Sequence, residues 1–306
     1  VKQNIGKVTI NMSTAERRAF QKLCDEKGHM LVLAIDQRNA MRNLLVDEKE
    51  EIGNISNQAL ARVKADLVRY LGNHSPAVLL DPEIALPQIV DSNILSRNTG
   101  LVVSLDASGW EEGSNAGLRQ SQVIVGITPR KVRQLGGDAA KMLVYMRPDI
   151  EGEKGYSVDL IKDLIPMYHD EDVLLVIEIL VYKLPDETLE DYEKKKPALV
   201  RDAALIAGSC GAKVLKIQFP GTVSACKEIS QGLQDIPWAV LSAGVDHEMF
   251  LSQLNDAMQN GANGAIAGRA IWKDCVSLDP QIRKTRMQTL GVPRIEKIKQ
   301  VLDQYD

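Results

Sequence analysis

Two lysines stand three residues apart in AKVLKIQFP (212–220), a run otherwise apolar and rich in β-branched residues. Gly211 and Pro220 bound it as a short buried strand. Alternate side chains of a strand face opposite ways, so Val214, Lys216 and Gln218 share one face while Lys213, Leu215 and Ile217 share the other. Lys213 can leave for solvent at the strand's start; Lys216 cannot. An unpaired buried ammonium costs on the order of several kcal/mol, so Lys216 needs a partner or a task. Glu178, inside LLVIEILVY (174–182), is the complementary case, and Lys141, inside AKMLVYM (140–146), supplies a second buried amine. A carboxyl group between two amines can hold one as ammonium while the other gives up its proton and becomes a nucleophile. That is the requirement for imine formation at a carbonyl. A Lys–Glu bridge serving structure alone is the competing reading.

A second group of residues suits an anion. LSAGV (241–245) and AGRAIW (267–272) both place small residues at the end of an apolar run, where backbone can approach a ligand and the next helix points its first N–H groups back at it. Ser242 adds a hydroxyl, and Arg269 adds a guanidinium fork suited to phosphate or sulfonate oxygens. Glycines also serve tight turns, but a structural Lys–Glu bridge would not account for an anion site beside it.

Eight short apolar runs must position these groups: MLVLAID (30–36), AVLLD (77–81), LVVSLD (101–106), AKMLVYM (140–146), VLLVIEI (173–179), AKVLKIQF (212–219), WAVLS (238–242) and GAIAG (264–268). Helical signals separate them, including the periodic ALARVKADLVRYLG (59–72) and a helix expected over 129–135. Ser13-Thr14-Ala15-Glu16 reads as a capping box opening an extra helix before the first strand. Strands alternating with helices pair in parallel, which leaves an open doubly wound sheet or a closed barrel. The first strand runs into Asp36-Gln37-Arg38 with no glycine-rich nucleotide turn, which counts against the open sheet. Asp36, Asp81, Asp106, Lys141, Glu178, Lys216, Ser242 and Arg269 all lie in or at the ends of the runs. A (β/α)₈ barrel gathers such ends on one face, so the expected fold is a single TIM-barrel domain over residues 1–306 with an N-terminal extra helix.

Composition narrows the function classes. The chain has 306 residues, 44% hydrophobic and 25% charged, as an ordinary folded protein does. With 37 basic against 41 acidic residues there is no electrostatic footprint for nucleic acid or an anionic membrane, so an anionic ligand must be held locally. No apolar run approaches the roughly 20 residues that span a bilayer, and the first 30 residues lack a signal peptide's apolar centre, so a cytoplasmic location is expected. Cys24, Cys210, Cys226 and Cys275 form no CxxC, and His29, His74, His169 and His247 fall at no metal-ligand spacing. Neither a disulfide framework nor a metal or other cofactor is expected.

The segments DQR (36–38), LLDPE (79–83), IEILVY (177–182), VLKIQFP (214–220), LSAGV and AGRAIW, in this order and spacing, resemble the tagatose-1,6-bisphosphate aldolase family of class I, Schiff-base aldolases, which includes the sulfofructosephosphate aldolases. The resemblance runs over about 31–272. It implies that Lys216 forms the Schiff base, Glu178 is the acid–base carboxyl and Lys141 is the second active-site lysine. It further implies that Asp36 and Gln37 line the site, and that Ser242, Gly244 and Arg269 hold the anionic group beside the reacting carbonyl; Asp81 and Gly268 complete the expected substrate-binding set. The family usually carries Glu two residues after its nucleophilic lysine, where this chain has Gln218. The expected reaction is cleavage of a phosphorylated ketose to dihydroxyacetone phosphate and an aldehyde. A sulfonate in place of the distal phosphate is the alternative, with Arg38 and Arg147 as candidate contacts. A phosphosugar-binding regulator without turnover is the reading of another class. A homo-oligomer is expected, of a size the sequence does not fix.

Overall fold

The eight runs form eight parallel strands in the computed structural model, which describes residues 11–46, 49–113 and 117–305. They are β1 (Met30–Ala34), β2 (Ala77–Leu80), β3 (Gly100–Ser104), β4 (Ala139–Tyr145), β5 (Leu174–Leu180), β6 (Val214–Gln218), β7 (Trp238–Leu241) and β8 (Gly264–Ala267). Each pairs with the next, and β8 pairs with β1 to close the barrel. The closure is tight at Gly264, where an added Cβ would lie 2.1 Å from the Met30 carbonyl oxygen.

Side-chain parity divides the strands between two cores. The outward residues, Leu33, Leu80, Val103, Ile177, Leu215 and Val240 among them, pack under the surrounding helices. These helices include α2 (Asn57–Leu71), α3 (Pro129–Gln134), α4 (Tyr156–Asp170), α5 (Leu189–Ser209), α6 (Val223–Leu233) and α7 (His247–Gln259). The inward residues Met30, Val32, Ala77, Val102, Ala139, Val176, Val214 and Ile266 form the barrel's own core. Two residues further along the same inward rows stand Ser104, Lys141, Glu178 and Lys216, so the interior turns from apolar to polar at the strands' carboxyl ends.

The opposite end of the barrel is stoppered by α1 (Thr14–Leu23), whose Ala19 and Leu23 join the inner core with Phe20 packed against it. Ser13 and Glu16 form the expected capping box: the Glu16 N–H donates to Ser13 Oγ at 3.2 Å and the Ser13 N–H to Glu16 Oε2 at 2.7 Å. Glu16 does more than cap. Its carboxylate receives Lys213 Nζ at 2.6 and 2.7 Å, and His169 Nδ1 lies 2.6 Å from the same ammonium. Lys213 therefore does not escape to solvent, contrary to the expectation from its place at the strand's start. The stopper helix covers that exit and provides a carboxylate instead.

Candidate active site

Lys216 and Glu178 are register partners on β6 and β5, and Lys216 Nζ lies 2.8 Å from Glu178 Oε2. Lys141 Nζ, from β4, sits 3.1 Å from the same oxygen. It is also 2.8 Å from Asp36 Oδ2 and 2.5 Å from Asp106 Oδ1. Asp106 is itself oriented by Ser104 Oγ, which donates at 2.9 Å. Burial alone would lower the Lys141 pKa, yet Asp106, Asp36 and Glu178 together push it well above the ordinary lysine range. Burial likewise disfavours an ionised Asp36, but the Lys141 and Lys216 ammonium groups outweigh it and hold the carboxyl below the usual range. One lysine is thus locked as a cation among three carboxylates. The other touches a single carboxylate and faces open space.

That space has two lobes. The first, ≈ 180 Å³, is lined by Lys216, Glu178, Gln37, Gln218, Ser242, Gly268 and Arg269 among others. The second, ≈ 360 Å³, shares Gln37, Glu178, Lys216 and Arg269 and extends past Asp36, Asp106 and Lys141 to Trp110 and Tyr145. Arg269 has no carboxylate partner among the described residues, which leaves its fork free for an anion. The turn after β7 brings it in: Ala243 and Gly244 are left-handed (φ 47° and 84°), and a Cβ on Gly244 would lie 3.2 Å from Arg269 Cζ. Gly268 is required for a different reason, since its added Cβ would stand 2.4 Å from the Ala34 carbonyl oxygen. Asp36 Oδ1 and Gln37 Oε1 are buried acceptors without a hydrogen-bond partner among the described residues, an arrangement that suits substrate hydroxyl donors.

Comparison with known proteins gives this constellation a context. The description "DeoC/LacD family aldolase" matches residues 30–274. The chain belongs to the DeoC/LacD family of aldolases. Its curated relatives include tagatose 1,6-diphosphate aldolase 1 of Streptococcus mutans, 28% identical over 94% of this chain and 96% of the relative. Tagatose 1,6-diphosphate aldolase 2 of Streptococcus agalactiae is 26% identical over 96% and 97%. Among solved structures, a Schiff-base-forming fructose-1,6-bisphosphate aldolase aligns with TM-score 0.62 at 16% identity, covering 94% of this chain and 99% of that one. A fructose-bisphosphate aldolase of Plasmodium falciparum aligns with TM-score 0.66 at 14% identity, covering 95% of each. These structures share the barrel. The protein is an aldolase.

Within this candidate site the sequence-predicted residues do not all converge. Lys216, Glu178, Lys141, Asp36, Gln37, Ser242, Gly268 and Arg269 surround the two lobes, with Gly244 packed on Arg269. Asp81, expected to bind substrate, lies elsewhere. It is fully buried, pairs with Lys64 of α2, and accepts the backbone N–H groups of Glu83 and Ile84 at 3.1 and 2.7 Å. Arg147 is likewise committed: its fork grips Asp149 and Glu187 at 2.6–2.9 Å, so it is not a distal anion contact. Arg38 borders the second lobe but is bound to Glu83 and the Asp106 carbonyl. Asp106 was visible only as one of several strand-end carboxylates, and its contact with Lys141 makes it a member of the site. Trp110 and Tyr145 were missed. Trp110 belongs to the β3–β4 excursion, whose entry into the barrel mouth no local pattern announces.

Proposed function

We propose that this aldolase cleaves a phosphorylated ketose of the tagatose 1,6-bisphosphate type, with Lys216 as the imine-forming residue. The observation that carries the reading is the single Glu178 oxygen shared by Lys216 at 2.8 Å and Lys141 at 3.1 Å. Lys216 passes a proton to Glu178 and, as the free amine, attacks the substrate's C2 carbonyl; a proton shift from nitrogen to oxygen gives the carbinolamine. Glu178 returns its proton to the C2 hydroxyl, water leaves, and the iminium forms. Glu178, again a carboxylate, takes the C4 hydroxyl proton as the C3–C4 bond breaks. The electron pair flows into the iminium and the aldehyde departs. Protonation of the enamine at C3 by Glu178 and addition of one water to the resulting iminium then release dihydroxyacetone phosphate and return Lys216 as the ammonium beside the Glu178 carboxylate.

Lys141 keeps its proton throughout and holds Glu178, Asp36 and Asp106 in place. Arg269, Ser242 and the glycine-rich turns after β7 and β8 bind the phosphate next to C2, and that remote binding aligns the carbonyl with Lys216. The iminium is the electron sink, so the chemistry needs no Lewis acid. Borohydride added with dihydroxyacetone phosphate should attach the triose irreversibly to the peptide containing Lys216, and Lys216→Ala should abolish both labelling and cleavage. Cleavage without any lysine adduct would remove the imine mechanism; an adduct on Lys213 would overturn the assignment of faces on β6.

A further inference from the structure

Gln218 sits two residues beyond Lys216 on the same inward row of β6, opposite Leu241 of β7 and one step from Ser242. Its side chain is not free to turn. The Val181 N–H donates to Gln218 Oε1 at 2.8 Å, and only the carbonyl end of an amide can accept that bond. The amide orientation is therefore fixed by the backbone of the segment after β5. Its Nε2 has no partner among the described residues, and the residue lines the ≈ 180 Å³ lobe that holds Ser242, Gly268 and Arg269. It does not line the second lobe, where Asp36, Asp106 and Lys141 lie. A neutral N–H donor on this wall adds a contact to an anion without placing a second carboxylate beside Lys216.

We infer that Gln218 is a specificity residue of the first lobe, its Nε2 donating to an oxygen of the anionic headgroup held by Arg269 and Ser242. This deepens the aldolase reading by assigning the headgroup a neutral third donor. The glutamate variant is the informative one, because a carboxylate can still accept the Val181 N–H while it replaces the donor by a negative charge. Methionine keeps the volume but removes both functions.

The test measures binding of inorganic phosphate by calorimetry, and the Michaelis constants of dihydroxyacetone phosphate and unphosphorylated dihydroxyacetone in borohydride-trapping assays, on the intact protein. Loss of a charge-assisted bond corresponds to about tenfold to hundredfold in affinity. Gln218→Glu should weaken phosphate by that factor and raise the ratio of the two Michaelis constants at least about tenfold. Gln218→Met should fall between it and the parent. Phosphate binding by Gln218→Glu equal to the parent's would overturn the assignment. So would a larger loss in Gln218→Met than in Gln218→Glu, which would mark the Val181 bond as the only contribution. If the parent traps no triose yet Gln218→Glu still loses phosphate, the imine roles fail and the anion contact stands.

Discussion

Lys141 and Lys216 are chemically identical side chains on the strands either side of β5, and their surroundings differ. Three carboxylate oxygens within 3.1 Å raise the pKa of Lys141 despite its burial. A raised value means that its contribution to stability is complete below the ordinary lysine value of 10.5 and is lost only as pH climbs through the folded one. Asp36 has a lowered value, so its contribution is complete above 3.8 and is lost as pH falls through the folded one. Between those limits both charges are constant. A limb in the pH–rate profile of imine trapping between about pH 5 and 9 therefore reports neither of these two groups. Lys141→Met, which removes the cation that holds Glu178, Asp36 and Asp106 in place, should lower kcat by about 100-fold or more. Steady-state cleavage assays measure this, and a kcat within about threefold of the parent's would show that Lys141 does not position these carboxylates.

At the scale of strands and helices, parity was legible in the sequence and loop direction was not. A period of two placed Lys216 inside the barrel and Lys213 outside, and the inward rows of β4, β5 and β6 carry Lys141, Glu178 and Lys216 as the pattern required. Asp36, Asp81 and Asp106 look alike as strand-end aspartates, yet each lies just past its strand, where the chain turns freely and parity no longer fixes direction. Asp36 and Asp106 meet Lys141. Asp81 instead turns back against α2, because Lys64 on that helix is fully buried and needs a counter-charge. Lys64 Nζ also donates to the Ile35 carbonyl at 2.8 Å, so the pair ties α2 to the segment that carries Asp36 and Gln37. Asp81→Asn would leave a buried ammonium without its carboxylate and should cost about 3–5 kcal/mol in urea denaturation. A loss below about 1 kcal/mol would show that Lys64 finds another partner.

For the molecule as a whole, the barrel has one end that carries the candidate active site and one that is closed; buried Lys216 of β6 stands at the first and buried Lys213, just before β6, at the second. At the closed end Glu16 is only 1% exposed and serves two structures at once, capping α1 and neutralising Lys213. The capping role was readable from four consecutive residues, whereas the ion pair joins positions 197 residues apart and left no local trace. Because the contact spans the chain, it fastens the stopper helix over the inner core formed by Met30, Val32, Leu174 and Val214. Removing either partner alone leaves the other charge buried. Glu16→Gln and Lys213→Met should therefore each cost about 3–5 kcal/mol, while the double variant should recover a large part of that loss. The active end lies at the other mouth, so Lys213→Met should still form the triose adduct on Lys216 at temperatures where the variant is folded. A double-mutant cycle by chemical denaturation, paired with borohydride trapping, separates the two ends. Additive losses would mean that Glu16 and Lys213 stabilise the fold independently. Loss of trapping in a fully folded Lys213→Met variant would mean that the closed end is coupled to the chemistry.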